Sequence, residues 1–259
     1  MSRILLFDSG VGGLSILKKL RTHLPNSEYH YFADHQAAPY GEKDDDWLNQ
    51  RINTLVSNLN KKLSPDVIII ACNTASTLSL KALRSSIQTN IIGVVPAIKT
   101  AAEKAGSQPI GLLATPATID RDYTNGLIED FSKHKAVIKV GTSNLVSMAE
   151  SKLSGIEFST VPLHKILEPF IQNNCHHIVL GCTHFPLLIE ELSEVAPHIN
   201  WIDSGSAIAK RTEDLLKTIP ESNLEPISRF YSSSTINPGL EKFLFSMGFK
   251  YLHSNHSTT

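Results

Sequence analysis

The sequence predicts an α/β protein built on mostly parallel sheets, and three observations predict it. Short aliphatic runs of four to six residues, each bounded by turn residues, recur along the chain. Such runs mark strands buried on both faces. Segments with helical apolar spacing stand between them, and this alternation is the pattern of α/β folds. The chain has 259 residues, enough to bury roughly 70–75% of its unfolded surface without a metal or disulfide staple.

In chain order, the expected strands are Ile4–Phe7, Val67–Ala71, Ile91–Val95, Ile110–Ala114, Val137–Val140, Ile178–Gly181 and Trp201-Ile202. Leu14, Leu17, Lys18 and Leu20 begin a helical face, and Trp47, Ile52, Leu55, Val56 and Leu59 form another. Leu78–Leu83 and Ala97–Ala105 carry the same spacing. Tyr251–Thr259 is polar and is expected to fray.

Composition narrows the function classes. Hydrophobic residues make up 41% and charged residues 19%, which excludes collagenous, low-complexity and disordered chains. Net charge is −1 with no long run of one sign. A phosphate-driven nucleic-acid binder carries a basic excess or stripe, so nucleic acid is not an expected partner. Three cysteines are too few for a disulfide scaffold and are expected to be reduced. The first apolar run is interrupted by Asp8, short of the ~7–15 residues of a secretory signal or the ~20 of a membrane helix. The expected location is the cytoplasm, with no membrane contact.

In α/β sheets, ligands bind beyond the carboxyl ends of the strands. The residues that follow the runs are Asp8-Ser9-Gly10-Val11-Gly12-Gly13, Cys72-Asn73-Thr74, Thr115-Pro116-Ala117-Thr118, Cys182-Thr183-His184 and Asp203-Ser204-Gly205. VIIIACNTA (Val67–Ala75) and IVLGCTHF (Ile178–Phe185) echo each other: an apolar strand, a cysteine, and a threonine within two positions. The spans from Asp8 to Cys72 and from Thr115 to Cys182 are nearly equal. Two halves of similar length suggest a duplicated unit with the cysteines facing each other across a cleft.

A cysteine between a strand end and a helix start sits at the helix's positive end, which lowers its pKa. Thr74, Ser76 and Thr77 are candidate caps for the helix after Cys72. Asp8 and Ser9 are expected beside Cys72, and His184 can orient Cys182 or relay a proton to it. A thiolate base and a thiol acid on opposite faces of a carbon would invert a stereocentre. Either cysteine alone is as readily a buried core thiol; as a matched pair at strand ends they read as chemistry.

Competing cysteine chemistries fail on spacing. A cysteine phosphatase needs an arginine six residues on, where Leu78 and Leu188 stand, and C-x-x-C is absent. A zinc site would have to join Cys175–His177 to Cys182–His184. An extended strand puts His177 and Cys182 roughly 16 Å apart, too far for one ion with ligand bonds near ~2 Å. Cys175 reads as a small residue at a helix end. The Gly10–Gly13 turn lacks both phosphate-loop patterns, since Ser15 replaces the last glycine of G-x-G-x-x-G, but its amides suit a carboxylate. Pro39-Tyr40-Gly41 reads as an ordinary turn and Glu150 as a solvated helix charge. Asp203-Ser204-Gly205 is given no role.

FDSGVGGL (Phe7–Leu14), PYG (Pro39–Gly41), ACNTAS (Ala71–Ser76), GVVPAIK (Gly93–Lys99) and GCTHFPLL (Gly181–Leu188) together resemble the bacterial glutamate racemases, of the cofactor-independent Asp/Glu racemase superfamily. The matches keep the family's order from Ile4 to about Lys210. Aspartate racemases of that superfamily tend to carry an acidic residue where His184 stands, so the resemblance points to glutamate.

That resemblance implies two α/β lobes with the site in the cleft between them: residues 1–96 with 205–259, and 97–204, crossing near Pro96 and Asp203. It implies that Cys72 and Cys182 are the acid/base thiols, the first acting on D-glutamate and the second on L-glutamate. Asp8 and His184 are then their neighbours, and Ser9, Tyr40, Gly41, Asn73, Thr74, Thr183 and His184 hold the substrate. Glu150 matches an acidic residue near the cleft. No cofactor or metal is implied, the assembly is a monomer or homodimer, and the D-glutamate goes to peptidoglycan. The hinge reads Val95-Pro96 where many members have Glu-Pro. That form resembles a Gram-negative subgroup, some of whose members need a UDP-linked peptidoglycan precursor as activator. A second reading is a binding protein on the same fold without turnover, but a dead paralogue would be expected to lose a cysteine or the histidine, and this chain keeps Cys72, Cys182, Asp8 and His184.

Overall fold

The structure, a computed structural model, describes residues 1–132, 135–219 and 225–254. Its strands are β1 (Arg3–Asp8), β2 (Glu28–Ala33), β3 (Val67–Ile70), β4 (Asn90–Gly93), β5 (Ile110–Ala114), β6 (Val137–Gly141), β7 (His177–Leu180), β8 (Asn200–Ile202), β9 (Ser228–Ser232) and β10 (Tyr251–Ser254). They form two sheets, one ordered β10-β9-β2-β1-β3-β4 and the other β6-β5-β7-β8. Every pairing among the described residues is parallel. The expected fold class is what the chain adopts.

The internal echo extends to topology. Within the first sheet, β2-β1-β3-β4 repeats the order of β6-β5-β7-β8. Thus β3 and β7, which end at the two cysteines, occupy the same place in each sheet, and β1 and β5 are their matching neighbours. The aliphatic strands behave as their composition dictates: β3 and β5 are buried at every position.

Three strands were not legible as aliphatic runs. β2 (EYHYFA) is buried along almost its whole length, yet it is aromatic and polar. Its His30 is satisfied by Glu28 Oε1 at 3.1 Å and the Tyr231 hydroxyl at 3.1 Å. Those partners make a buried polar residue tolerable. β9 (SRFYS) alternates buried and half-buried positions. The expectation of a frayed tail is corrected for Tyr251–Ser254, which pair with β9 as the sheet's edge strand; residues 255–259 lie outside the described residues.

Each face of each sheet is covered by helices and has its own apolar cluster. The helices Leu14–His23 and Gly205–Leu216 pack together on one face of the first sheet, with Leu17, Leu20, Ile208 and Ala209 against Ile4, Leu6 and Ile69. The helix Asp45–Leu63 presents Leu48, Ile52, Leu55, Val56 and Leu59 to the opposite face, against Leu5, Phe7 and Ile68. Asp44 caps that helix, its Oδ1 accepting from Trp47 N at 3.0 Å. Ile98 and Ala101 already belong to the second sheet's cluster, beside Ile110 and Leu112.

The two connections between the sheets lie side by side. Ser204 Oγ donates to Val95 O at 2.6 Å, so the Asp203-Ser204-Gly205 turn, given no role above, joins the outgoing and returning chain. No described helix is long and apolar enough to cross a membrane.

The expected caps of the helix Asn73–Ser86 are also corrected. Cys72 occupies the N-cap position and makes no side-chain cap bond. Ser76 instead turns back to the sheet: its hydroxyl donates to Ile70 O at 2.9 Å and accepts from Val94 N at 3.0 Å. It stitches the end of β3 to the chain leaving β4. Since Val94 N also reaches Ile70 O at 3.1 Å, Ser76→Ala should cost about 1 kcal/mol, read as a lower urea midpoint at unchanged slope.

Candidate active site

The carboxyl ends of β1, β3, β5 and β7, with the turns after β2, enclose a cavity of about 400 Å³. That volume suits a small ligand. Cys72 and Cys182 both line it, one from each sheet. Ser9, Tyr40, Gly41, Asn73, Thr74, Glu150 and His184 line it as well. Of the remaining candidates, Asp8 lies directly behind Ser9 and is fully buried, and Thr183 stands behind His184.

Around Cys72 the site is built by the Asp8–Gly13 turn. Asp8 Oδ1 accepts from Ser9 N at 2.8 Å, and Oδ2 accepts from Gly13 N and from the Tyr31 hydroxyl at 2.9 Å. Burial still wins and raises the Asp8 pKa, although His184 and these hydrogen bonds oppose it. Ser9 Oγ lies 3.6 Å from Cys72 Sγ and 3.5 Å from Asp8 Oδ1, between the two.

Cys72 corrects one expectation. Its place before a helix was expected to lower the thiol pKa. Burial instead pushes it up to about 12, with Asp8 adding to the rise; the Ala75 amide and Ser9 pull only partly the other way.

Around Cys182 the neighbours are different in kind. Cys182 Sγ lies 3.8 Å from His184 Nδ1, and His184 Nε2 lies 2.8 Å from Glu150 Oε1. That carboxylate oxygen also accepts from Val11 N at 3.1 Å. Burial opposes a charge on His184, but its contacts with Cys182 and Glu150 outweigh burial and hold its pKa well above the usual value. Burial likewise raises Glu150, and His184 reverses it to a net lowering. Glu150 is therefore no solvated helix charge: it is the partner of a buried imidazolium.

The two sheets meet closely here. Ser15 Oγ donates to Thr183 O at 2.9 Å. A Cβ on Gly12 would fall onto His184 Nδ1 and within 2.7 Å of Thr183 Oγ1. Only glycine permits that approach.

Hydrogen-bonding groups ring the rest of the cavity. Asn73 Nδ2 is buried with no partner among the described residues. Thr74 Oγ1 lies 3.2 Å from Thr115 Oγ1 and 3.3 Å from Thr118 Oγ1, a hydroxyl cluster drawn from both sheets. Tyr40 lines the cavity, but its hydroxyl donates to Asp34 Oδ2 at 2.8 Å, and Asp34 is held by Arg51 through two bonds of 2.6 Å. Among the described residues, no group of three His, Cys, Asp or Glu side chains is placed to hold a metal.

Sequence reasoning missed several of these residues. Thr115 opens a turn flagged by the strand-end rule, and Thr118 follows three residues later; either was findable. Tyr31 and His35 lie on or just after β2, the strand that no aliphatic run announced. Asp34 and Arg51 carry no local signal, because their pairing is tertiary.

Comparison with known proteins agrees with this architecture. Residues 14–212 match the family model of Asp/Glu/hydantoin racemases. The glutamate racemase of Vibrio campbellii is 46% identical over 90% of this chain and 87% of its own. That of Vibrio cholerae is 43% identical over 97% of both chains. The crystal structure of Escherichia coli glutamate racemase, in complex with L-glutamate and the activator UDP-MurNAc-Ala, superposes with a TM-score of 0.88 at 39% identity, covering 98% of this chain and 97% of that one.

The charged pair beside Cys182 yields a test. The folded-state pKa of His184 lies above its ordinary value. Its stabilisation is therefore complete below the unfolded pKa and lost as pH rises through the folded one. Glu150→Gln should lower the His184 pKa, so that this loss begins at lower pH, and should cost about 1–2 kcal/mol below it. Imidazole NMR titration and urea unfolding across pH check both. By residue pattern, by topology and by these relatives, the chain belongs to the Asp/Glu/hydantoin racemase family, beside the glutamate racemases.

Proposed function

We propose that this protein interconverts L- and D-glutamate by proton transfer between two thiols and the substrate α-carbon. The observation that carries the reading is the pair Cys72 and Cys182. They lie at equivalent strand ends of two matching sheets and line one cavity, one from each sheet. The names of the relatives supply glutamate.

In this reading the α-carbon lies between the two sulfurs. One thiolate takes the α-proton and becomes a thiol; the electron pair left on carbon delocalises into the α-carboxylate. The opposite thiol then delivers its proton to the other face and becomes a thiolate. Mass and charge balance, and the enzyme ends poised for the reverse reaction. The α-proton of an amino acid is weakly acidic, so the developing negative charge must be met by fixed donors out of water. Asn73 and the Thr74 and Thr115 hydroxyls, the last two backed by Thr118, supply them.

The two thiols would be served differently. Burial holds Cys72 as a thiol, so its use as a base requires a compensating positive charge, which the substrate ammonium brings. Asp8, whose pKa is raised by burial, stands near Cys72 with Ser9 between them. His184, whose pKa Cys182 and Glu150 hold above its usual value, can return a proton to Cys182. Residues 1–96 with 205–259 and residues 97–204 would form the two lobes. The reaction belongs in the cytoplasm, and its D-glutamate in peptidoglycan.

Two measurements test this. In D2O, the protein should racemise L-glutamate with α-deuterium incorporation, and Cys72→Ser or Cys182→Ser should each lower the rate by about 10³-fold or more; full activity in either variant removes the two-thiol mechanism. Racemisation should also rise on adding UDP-MurNAc-Ala, the activator of the Escherichia coli relative. Equal rates would remove the proposed activator dependence while leaving the mechanism standing.

A further inference from the structure

β2 carries two buried tyrosines, Tyr29 and Tyr31. Tyr31 sits among aromatic rings. It stacks on Phe230 with centroids 5.2 Å apart and meets Phe249 edge-on at 6.4 Å. A phenylalanine would fill that place as well. What the tyrosine adds is one hydroxyl, and a buried hydroxyl is costly unless it is partnered.

Its partners lie in the turn beside Cys72. The Tyr31 hydroxyl stands 2.9 Å from Asp8 Oδ2 and 2.9 Å from Gly10 O. These two residues flank Ser9, whose Oγ is 3.6 Å from Cys72 Sγ. The hydroxyl has one proton to offer the two oxygens, and a carboxylate is the stronger acceptor. Burial, with Asp8 adding to it, holds the Tyr31 phenol well above its usual pKa. It therefore serves as a hydrogen-bond donor and keeps its proton.

The other donors to the Asp8 carboxylate come from its own turn: Ser9 N, Ser9 Oγ and Gly13 N. Among the hydrogen bonds of the described residues, Tyr31 supplies the one that ties this carboxylate to another strand. The fit leaves no slack. A Cβ on Gly13 would stand 2.9 Å from the Tyr31 hydroxyl and 3.1 Å from Asp8 Oδ2. Other titratable groups act here through space. His184 from beyond β7 and Cys72 from beyond β3 face Asp8, His35 from beyond β2 feels it, and Glu150 of the helix Asn144–Leu153 acts on Tyr31. None of them hydrogen-bonds to the Asp8 carboxylate among the described residues.

We infer that Tyr31 is a positioning residue, whose hydroxyl holds the Asp8 carboxylate and the Gly10 carbonyl so that Ser9 stays between Asp8 and Cys72. This rests on the two-thiol reading above, because the group being served is Cys72.

The experiment compares the parent with Tyr31→Phe, which removes the hydroxyl and keeps the stacked ring. The control is Tyr29→Phe. The Tyr29 hydroxyl donates to Leu24 O at 2.8 Å, toward the amino end of β2 and away from the cavity. Each variant loses one buried hydrogen bond from the same strand, so both should lower the urea midpoint. Racemisation gives kcat, calorimetry gives glutamate affinity, and carboxyl 13C NMR of labelled aspartate follows Asp8. Tyr31→Phe should lower kcat about 10-fold and leave glutamate affinity within about twofold. It should also move the Asp8 titration to higher pH, because a donor to the charged form is gone. Tyr29→Phe should keep the parental kcat and the parental Asp8 titration.

A parental kcat or a parental Asp8 titration in Tyr31→Phe would overturn the proposal. So would an equal loss of kcat in Tyr29→Phe, since both effects would then be core stability alone. A parent that binds glutamate without racemising it would remove the two-thiol reading, and the Asp8 titration would then decide the role of Tyr31 by itself.

Discussion

The close approach of the Asp8–Ser15 turn to the carboxyl end of β7 is the constraint on which the site depends. Val11 N reaches Glu150, Ser15 Oγ reaches Thr183 O, and Gly12 leaves no room for a side chain before His184. These contacts fix how far apart the two sheets stand, and hence the gap between two sulfurs that belong to different sheets. The glycines here are not phosphate-binding glycines. Gly10 and Gly12 are thin because two halves of one chain must nearly touch.

Charge within the gap is divided rather than pooled. On one side, burial raises the pKa of both Asp8 and Cys72. On the other, Glu150 and His184 stabilise each other as a pair of opposite charges. Burial penalises charge on both sides, and only the second side offers a counter-charge at hydrogen-bond distance. The cavity is therefore chemically lopsided although the sheets that frame it share one strand order.

Much of this was visible in the chain itself. Aliphatic runs announced β1, β3, β5 and β7, and the rule that ligands sit beyond strand ends led directly to Asp8, Cys72, Cys182 and His184. Thr115 stood at such a position without being given a role. What stayed hidden shares a physical cause. β2 is buried through tyrosines and a partnered histidine rather than through aliphatic residues, so it has no apolar run, and the residues hung on it, Tyr31 and His35, went unseen with it. The Cys72 thiol was misjudged because helix position is local while burial is tertiary, and the tertiary effect is larger. Glu150 was ambiguous for the same reason: its partner is 34 residues away.

The side-by-side connections at Val95 and Ser204 also govern the order in which the protein can form on the ribosome. β5 to β8 are contiguous in the chain, so their sheet has all its strands once residue 202 has emerged. The other sheet begins first and finishes last. Until residues 228–232 arrive, β2 has an open edge of unpaired backbone groups, and until Gly205–Leu216 arrives one apolar face is covered by Leu14–His23 without its partner helix. An open parallel edge beside exposed apolar surface is a template for wrong pairing. The amino-terminal segment of this chain is thus the part that must wait, and the nascent protein is most vulnerable between the completion of its inserted sheet and the return of its carboxyl-terminal strands.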